Sequence, residues 1–152
     1  MVRKQKKESK KTYADSSGND AGSNWQKLQN IYKQIPKFKC VPGCTDCCGI
    51  VPFIELEWSP IADKRTMDVE KTHTCPYAKS GKCDIYDQRP LMCRLFGASE
   101  DITLQCPKGC KPKKRLTVMR TKELLWEYRQ LDKKITGPAY RFFRDLLPIL
   151  RR

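Results

Sequence analysis

The chain has 152 residues, room for one domain with a tail, and 32% of them are charged against 39% apolar by a count that includes cysteine. It holds no run of roughly 18 apolar residues to cross a membrane, and its basic start, Met1 to Lys11, lacks the apolar stretch of a secretory signal. The formal net charge is +14, with ten basic and three acidic residues over 1–39, seven and ten over 40–106, and fourteen and four over 107–152. An acidic centre therefore lies between two basic arms, in a chain expected to be cytoplasmic.

Residues 1–22 have almost no aliphatic side chains and read as a disordered basic arm, mainly a solvated terminus and secondarily a nucleic-acid contact. Helix signals begin at Ser23, which stands at capping-box spacing from Gln26. Trp25, Leu28, Tyr32 and Ile35 then share one helical face, and Pro36 stops the run. This helix is expected to cover the apolar side of the region that follows. Residues 49–58 read as an extended segment on which Glu55 and Glu57 face one side as exposed charges. Ser59-Pro60 starts a short helix near 60–67, and 68–85, with Ser80-Gly81, read as irregular. Pro90 opens a short helix over 90–96 that Gly97 ends, and 98–114 lack periodicity. Leu124, Tyr128, Leu131 and Ile135 form one stripe of an amphipathic helix starting near Leu116. Gly137-Pro138 breaks it, and a second helix from about 139 completes a helical hairpin.

The chemistry lies in nine cysteines. An odd number in a reducing compartment argues against a disulfide framework and for thiolate metal ligation. Cys40, Cys44, Cys47 and Cys48 crowd into nine positions, followed by Cys75, Cys83, Cys93, Cys106 and Cys110. Pairs spaced by two or three residues let a loop present two sulfurs to one ion at about 2.3 Å. The adjacent Cys47 and Cys48 project differently, so they suit two different ions, or one ion and one core contact. Eight ligands divide into two four-sulfur sites, or into one cubane cluster and one zinc, or into a cluster with spare thiols. The region is poor in aliphatic side chains, and a structural zinc supplies about 10–16 kcal/mol of apparent binding energy, so a metal is expected to decide whether it folds.

The segments CVPGCTDCCG and CPYAKSGKCDIYDQRPLMCRLFG, with Cys106 beyond them, resemble a cysteine-cluster (CxxCxxCC-type) family of zinc- or iron-chelating domains. The resemblance covers about residues 40–106. It implies Cys40, Cys44, Cys47, Cys48, Cys75, Cys83, Cys93 and Cys106 as ligands. The first spacing here is three residues rather than two, and Cys110 is an additional cysteine, a further ligand candidate. A related cluster occurs in flagellin lysine N-methylases, but this chain has no glycine-rich strand-to-helix loop for a nucleotide cofactor. Arg89 and Arg94 match the family's R-P-x-x-C-R element. They would donate to the anionic sulfurs or serve ordinary backbone and carboxylate pairing. His73, two residues before Cys75, is a weaker ligand candidate beside so many thiols. A single histidine leaves no basis for a Ser-His-Asp arrangement, so no catalytic residue is assigned.

Lys111, Lys113, Lys114 and Arg115 follow the last cysteine and suit phosphate contacts or a solvated linker. The expected fold is mainly α, with an irregular, metal-stapled cysteine-rich core and a C-terminal helical hairpin. Its parts are a basic arm over 1–22, a cysteine-cluster metal-binding domain with its N-terminal helix over 23–110, and a basic hairpin over 111–152 packed on it. The expected function is metal binding, with zinc or an iron–sulfur cluster (4Fe–4S) held by thiolates. A basic surface would face a macromolecular partner, nucleic acid or an acidic protein, and not a membrane. The competing readings are an iron–sulfur redox or cofactor-dependent enzyme component, and a nucleic-acid-binding zinc module.

Overall fold

The computed structural model describes residues 20–49, 51–65 and 75–131. Four α-helices and one two-stranded sheet make up the described regular structure, joined by short 3₁₀ turns. Helix α1, Asp20–Lys33, starts three residues before the expected Ser23, so the end of the presumed arm is helical. Its buried face is Leu28 and Ile31, continued by Ile35 just past its end, with Tyr32 half-buried. Trp25 is 38% exposed: the stripe runs one residue round the helix from the expected face, through Ile31.

The expected extended segment over 49–58 is corrected by α2, Glu55–Trp58, which runs straight into a 3₁₀ helix over Ser59–Lys64. Pro60 sits in the first turn of that 3₁₀ helix, where its missing N–H costs nothing. Residues 78–83 are also more regular than expected. Strands β1, Ala78–Lys79, and β2, Lys82–Cys83, pair antiparallel with Ala78 opposite Cys83. Ser80 and Gly81 have φ of 49° and 73°, the paired positive values of a two-residue hairpin turn.

Helix α3, Leu91–Leu95, starts at Pro90 as expected, and Gly97 (φ 78°) turns the chain away two residues beyond it. A Cβ at Gly97 would lie 2.6 Å from the Cys110 carbonyl oxygen and 2.7 Å from the Phe38 ring. The glycine therefore serves both the turn and the close approach. Beyond it, Ser99 and Leu116 form a parallel bridge, with Leu116 N–H donating to Ala98 C=O at 2.8 Å. Helix α4 spans Val118–Leu131, and Thr117 Oγ1 accepts from Arg120 N–H at 3.1 Å as its cap. The second helix of the expected hairpin and the stripe residue Ile135 lie outside the described residues, as do His73 and most of the arm.

The main core joins Leu28, Ile31 and Ile35 to Ile54, to Leu91, Met92 and Leu95 of α3, and to Leu124, Leu125 and Tyr128 of α4. Each fully buried aliphatic side chain here contributes about 1.5–3 kcal/mol. Residues from the cysteine region thus supply a large part of an ordinary apolar core, more than its composition suggested. A smaller cluster of Ile61, Tyr77 and Ile85 packs with Phe53, Trp58, Cys75 and Cys83 under the hairpin.

Glu57 corrects the sequence reading most sharply. It is 2% exposed, at the junction of all four helices, whereas Glu55 lies at the surface paired with Arg65 at 2.8 Å. Glu57 Oε1 accepts from Tyr32 OH (2.6 Å) and Leu91 N–H (2.7 Å). Its Oε2 accepts from Tyr128 OH (2.6 Å) and Ile54 N–H (3.2 Å). Burial raises the pKa of the carboxyl, and the four donors oppose that rise.

Candidate metal centre

All nine cysteines are free thiols of intermediate exposure. Four segments carry them: the loops at 40–48 and 106–110, the hairpin with its lead-in at 75–83, and α3 through Cys93. Local geometry explains how each loop turns. Val41 C=O accepts from Cys44 N–H at 3.1 Å around Pro42-Gly43, where Gly43 has φ 80°. Cys106 C=O accepts from Gly109 N–H at 2.9 Å around Pro107-Lys108, and Gly109 has φ 73°. Thr45 C=O accepts from Cys48 N–H at 2.8 Å, closing the turn that carries the adjacent pair.

Tertiary contacts bring these segments together. Cys75 N–H donates to Cys48 C=O at 3.2 Å, fixing the hairpin lead-in to the first loop. At the hairpin tip, a Cβ on Gly81 would lie 3.0 Å from Gly43 Cα, so two glycines meet backbone to backbone. Lys108 Nζ pairs with Asp46 at 3.0 Å and ties the last loop to the first.

The electrostatics divide the thiols into two groups. Burial pushes Cys40 up, and the neighbouring Cys106, Cys110 and Cys44 add to the rise. Cys47 is raised by burial first and then by Cys40, Cys106 and Cys44. Cys48 is pushed up to about 12 by burial, with contributions from Cys47, Cys75 and Cys83 and a thiol hydrogen bond to Cys47. Cys93 is raised by burial first, then by Cys75, Cys83 and Cys48. Cys40 neighbours Cys44, Cys106 and Cys110, and Cys47 neighbours Cys40, Cys44 and Cys106, while Cys48, Cys75, Cys83 and Cys93 neighbour one another. Cys47 also neighbours Cys48, so the two sets meet at the adjacent pair.

Arg89 stands between the groups: its charge lowers Cys40 on one side and Cys83 and Cys93 on the other. Its guanidinium lies 3.6 Å above the Tyr86 ring, and its Nε donates to Tyr86 C=O. Arg94 turns to backbone instead, donating to Arg89 C=O and Asp87 C=O at 2.7 Å each, with its guanidinium over Tyr32. It thereby braces the loop that holds Arg89. Ile85 N–H donates to the Cys83 sulfur, a further donor suited to a thiolate.

Among the described residues, no three His, Cys, Asp or Glu side chains stand in a metal-holding arrangement. The donor chemistry of the thiols nonetheless fits zinc or iron: soft sulfur ligands in sets of four or more, on glycine-turned loops, with an arginine between the sets. Of the basic candidates, Lys111, Lys113 and Lys114 are exposed and Arg115 is half-buried.

Residues 39–111 match the family model CxxCxxCC, described as a "Putative zinc- or iron-chelating domain". The match reaches past Cys106 to include Cys110. No curated protein and no solved structure matches the chain.

Proposed function

We propose that this protein binds zinc or iron through two adjacent thiolate centres, and that the metals lock its loops onto the apolar core. The reading is supported by nine free thiols carried on four segments that tertiary contacts bring together, enough sulfurs for two four-sulfur sites. The second centre would be held by Cys48, Cys75, Cys83 and Cys93, one thiol or more from each of three segments distant in sequence. A bound ion would supply Lewis-acid charge or, as a cluster, electron storage. The chain's own residues hold the sulfurs in register, keep their surroundings half-buried, and set Arg89 against the anionic charge of both centres. Elemental analysis of oxygen-protected protein, with its optical spectrum, tests this: absorbance near 400 nm marks iron–sulfur, and a colourless metal-loaded protein marks zinc.

The partner we infer for the basic surface is a polyanion. Lys37 and Lys39 precede Cys40, and Lys111, Lys113 and Lys114 follow Cys110, so exposed lysines flank the first thiol group from both of its loops. Their charge suits nucleic-acid phosphates without base selection. Binding to single- or double-stranded nucleic acid should weaken steeply with salt, and a flat salt response would remove this part of the proposal.

A further inference from the structure

We infer that Tyr32 is a positioning residue for the metal centre: its ring holds the Arg94 guanidinium where that group fixes the chain between Cys83 and Cys93. The inference rests on the metal-binding reading above. It extends the centre to α1, outside the matched residues 39–111.

From Cys83 the chain passes through a 3₁₀ turn, Tyr86–Gln88, and then through Arg89-Pro90 into α3, which carries Cys93. Within the turn, Ile85 C=O accepts from Gln88 N–H at 2.9 Å. The end of a helical turn leaves its last carbonyls without helical donors. Here two guanidinium groups supply them. Arg89 Nε donates to Tyr86 C=O at 2.9 Å, and Arg94 donates to Asp87 C=O and Arg89 C=O at 2.7 Å each. Arg94 therefore reaches from the last turn of α3 back to the turn before it. It closes a loop whose two ends carry Cys83 and Cys93.

Tyr32 meets this loop from α1. Its ring lies 4.2 Å from the Arg94 guanidinium, face to cation. Its hydroxyl donates to Glu57 Oε1 at 2.6 Å, and the same oxygen accepts from the N–H of Leu91, the first residue of α3. One side chain thus reaches both ends of the five-residue helix, the start through Glu57 and the end through Arg94. A guanidinium on an aromatic face is attracted to the ring while its in-plane N–H groups stay available to carbonyls. Without the ring, Arg94 is released to water and the turn loses two donors. A binding ion would then have to order Cys83, Arg89 and Cys93 itself, which lowers its affinity.

The test measures the zinc affinity of the full-length protein by competition with a chromophoric chelator, and amide exchange at Gln88 in the protein as isolated. Y32L should weaken zinc binding about 3- to 30-fold, the range of one cation–π contact, and should speed exchange at Gln88. Y32F keeps the ring and should restore both. Y128F takes the other hydroxyl from Glu57 and should lower the urea midpoint as Y32F does, with zinc affinity unchanged, which separates positioning from a general loss of stability. R94K keeps the charge but lacks the planar fork that spans two carbonyls, so it should weaken zinc binding as Y32L does. Wild-type affinity in Y32L or R94K would overturn the inference, and so would an equal loss in Y32F or Y128F. A wild-type protein that takes up no metal overturns the metal-binding reading and the inference with it, whereas a loaded wild type beside an unaffected Y32L overturns the inference alone.

Discussion

Replacing Glu57 by glutamine tests the packing at the junction of the four helices. The carboxylate has two oxygens and four donors, two of them hydroxyls and two of them backbone N–H groups. In E57Q one oxygen becomes an NH₂, itself a donor. Whichever way the amide turns, it meets one tyrosine hydroxyl and one backbone N–H, of Leu91 or of Ile54. The hydroxyl can rotate to accept from the amide, but the backbone N–H cannot. A buried N–H left without an acceptor costs about 1–3 kcal/mol. The remaining bonds also lose charge assistance, since bonds to a charged acceptor are worth about 1.5–3 kcal/mol and neutral ones about 1. Removing a buried charge recovers part of this loss, as the upward push on the Glu57 pKa indicates. The net expectation is a loss of about 2 kcal/mol, read as a lower urea midpoint at unchanged slope. Y128F removes one donor and should cost about 1.5–3 kcal/mol on the same bond scale. The two changes should be non-additive, because they share one hydrogen bond. An E57Q protein as stable as wild type would refute the account of Glu57 as an acceptor hub.

Metal-free and metal-loaded protein should respond to pH with opposite signs. Cys48 is raised from 9.0 to about 12 in the folded chain, so the unfolded chain loses that proton first, and metal-free stability should fall as pH rises above 9. Metal-loaded protein should instead lose stability as pH falls, because protons displace the metal from its thiolates; melting curves over pH 5–10 check both. R89A should weaken metal affinity about 10- to 100-fold by competition against a chromophoric chelator, since Arg89 faces thiols of both groups. G97A should destabilise the fold by more than about 1–2 kcal/mol, the cost of positive φ alone, because its Cβ also meets Cys110 and Phe38.

Short-range signals in the sequence were reliable guides where backbone chemistry decides the outcome. Ser59-Pro60, Pro90 and Gly97 mark the elements they border, because proline and glycine act through their own φ angles. The stripe of Leu124 and Tyr128 likewise lies buried on α4. The β-hairpin escaped because its strands are two residues long and charged, leaving only Ser80-Gly81 to announce it. Glu57 was read as exposed because its donors Tyr32 and Tyr128 lie 25 and 71 residues away, and no local pattern encodes them. Which thiols neighbour one another was not legible, because it depends on the hairpin tip meeting Gly43 and on Lys108 reaching Asp46.

Metal analysis coupled to chelation tests the central claim most directly. Protein isolated without oxygen should carry zinc or iron, and a strong chelator should strip it while hydrogen exchange accelerates in the loops at 40–48 and 106–110 and in the hairpin at 78–83. Protein that contains neither metal, and whose loops exchange at the same rate before and after the chelator, would contradict it.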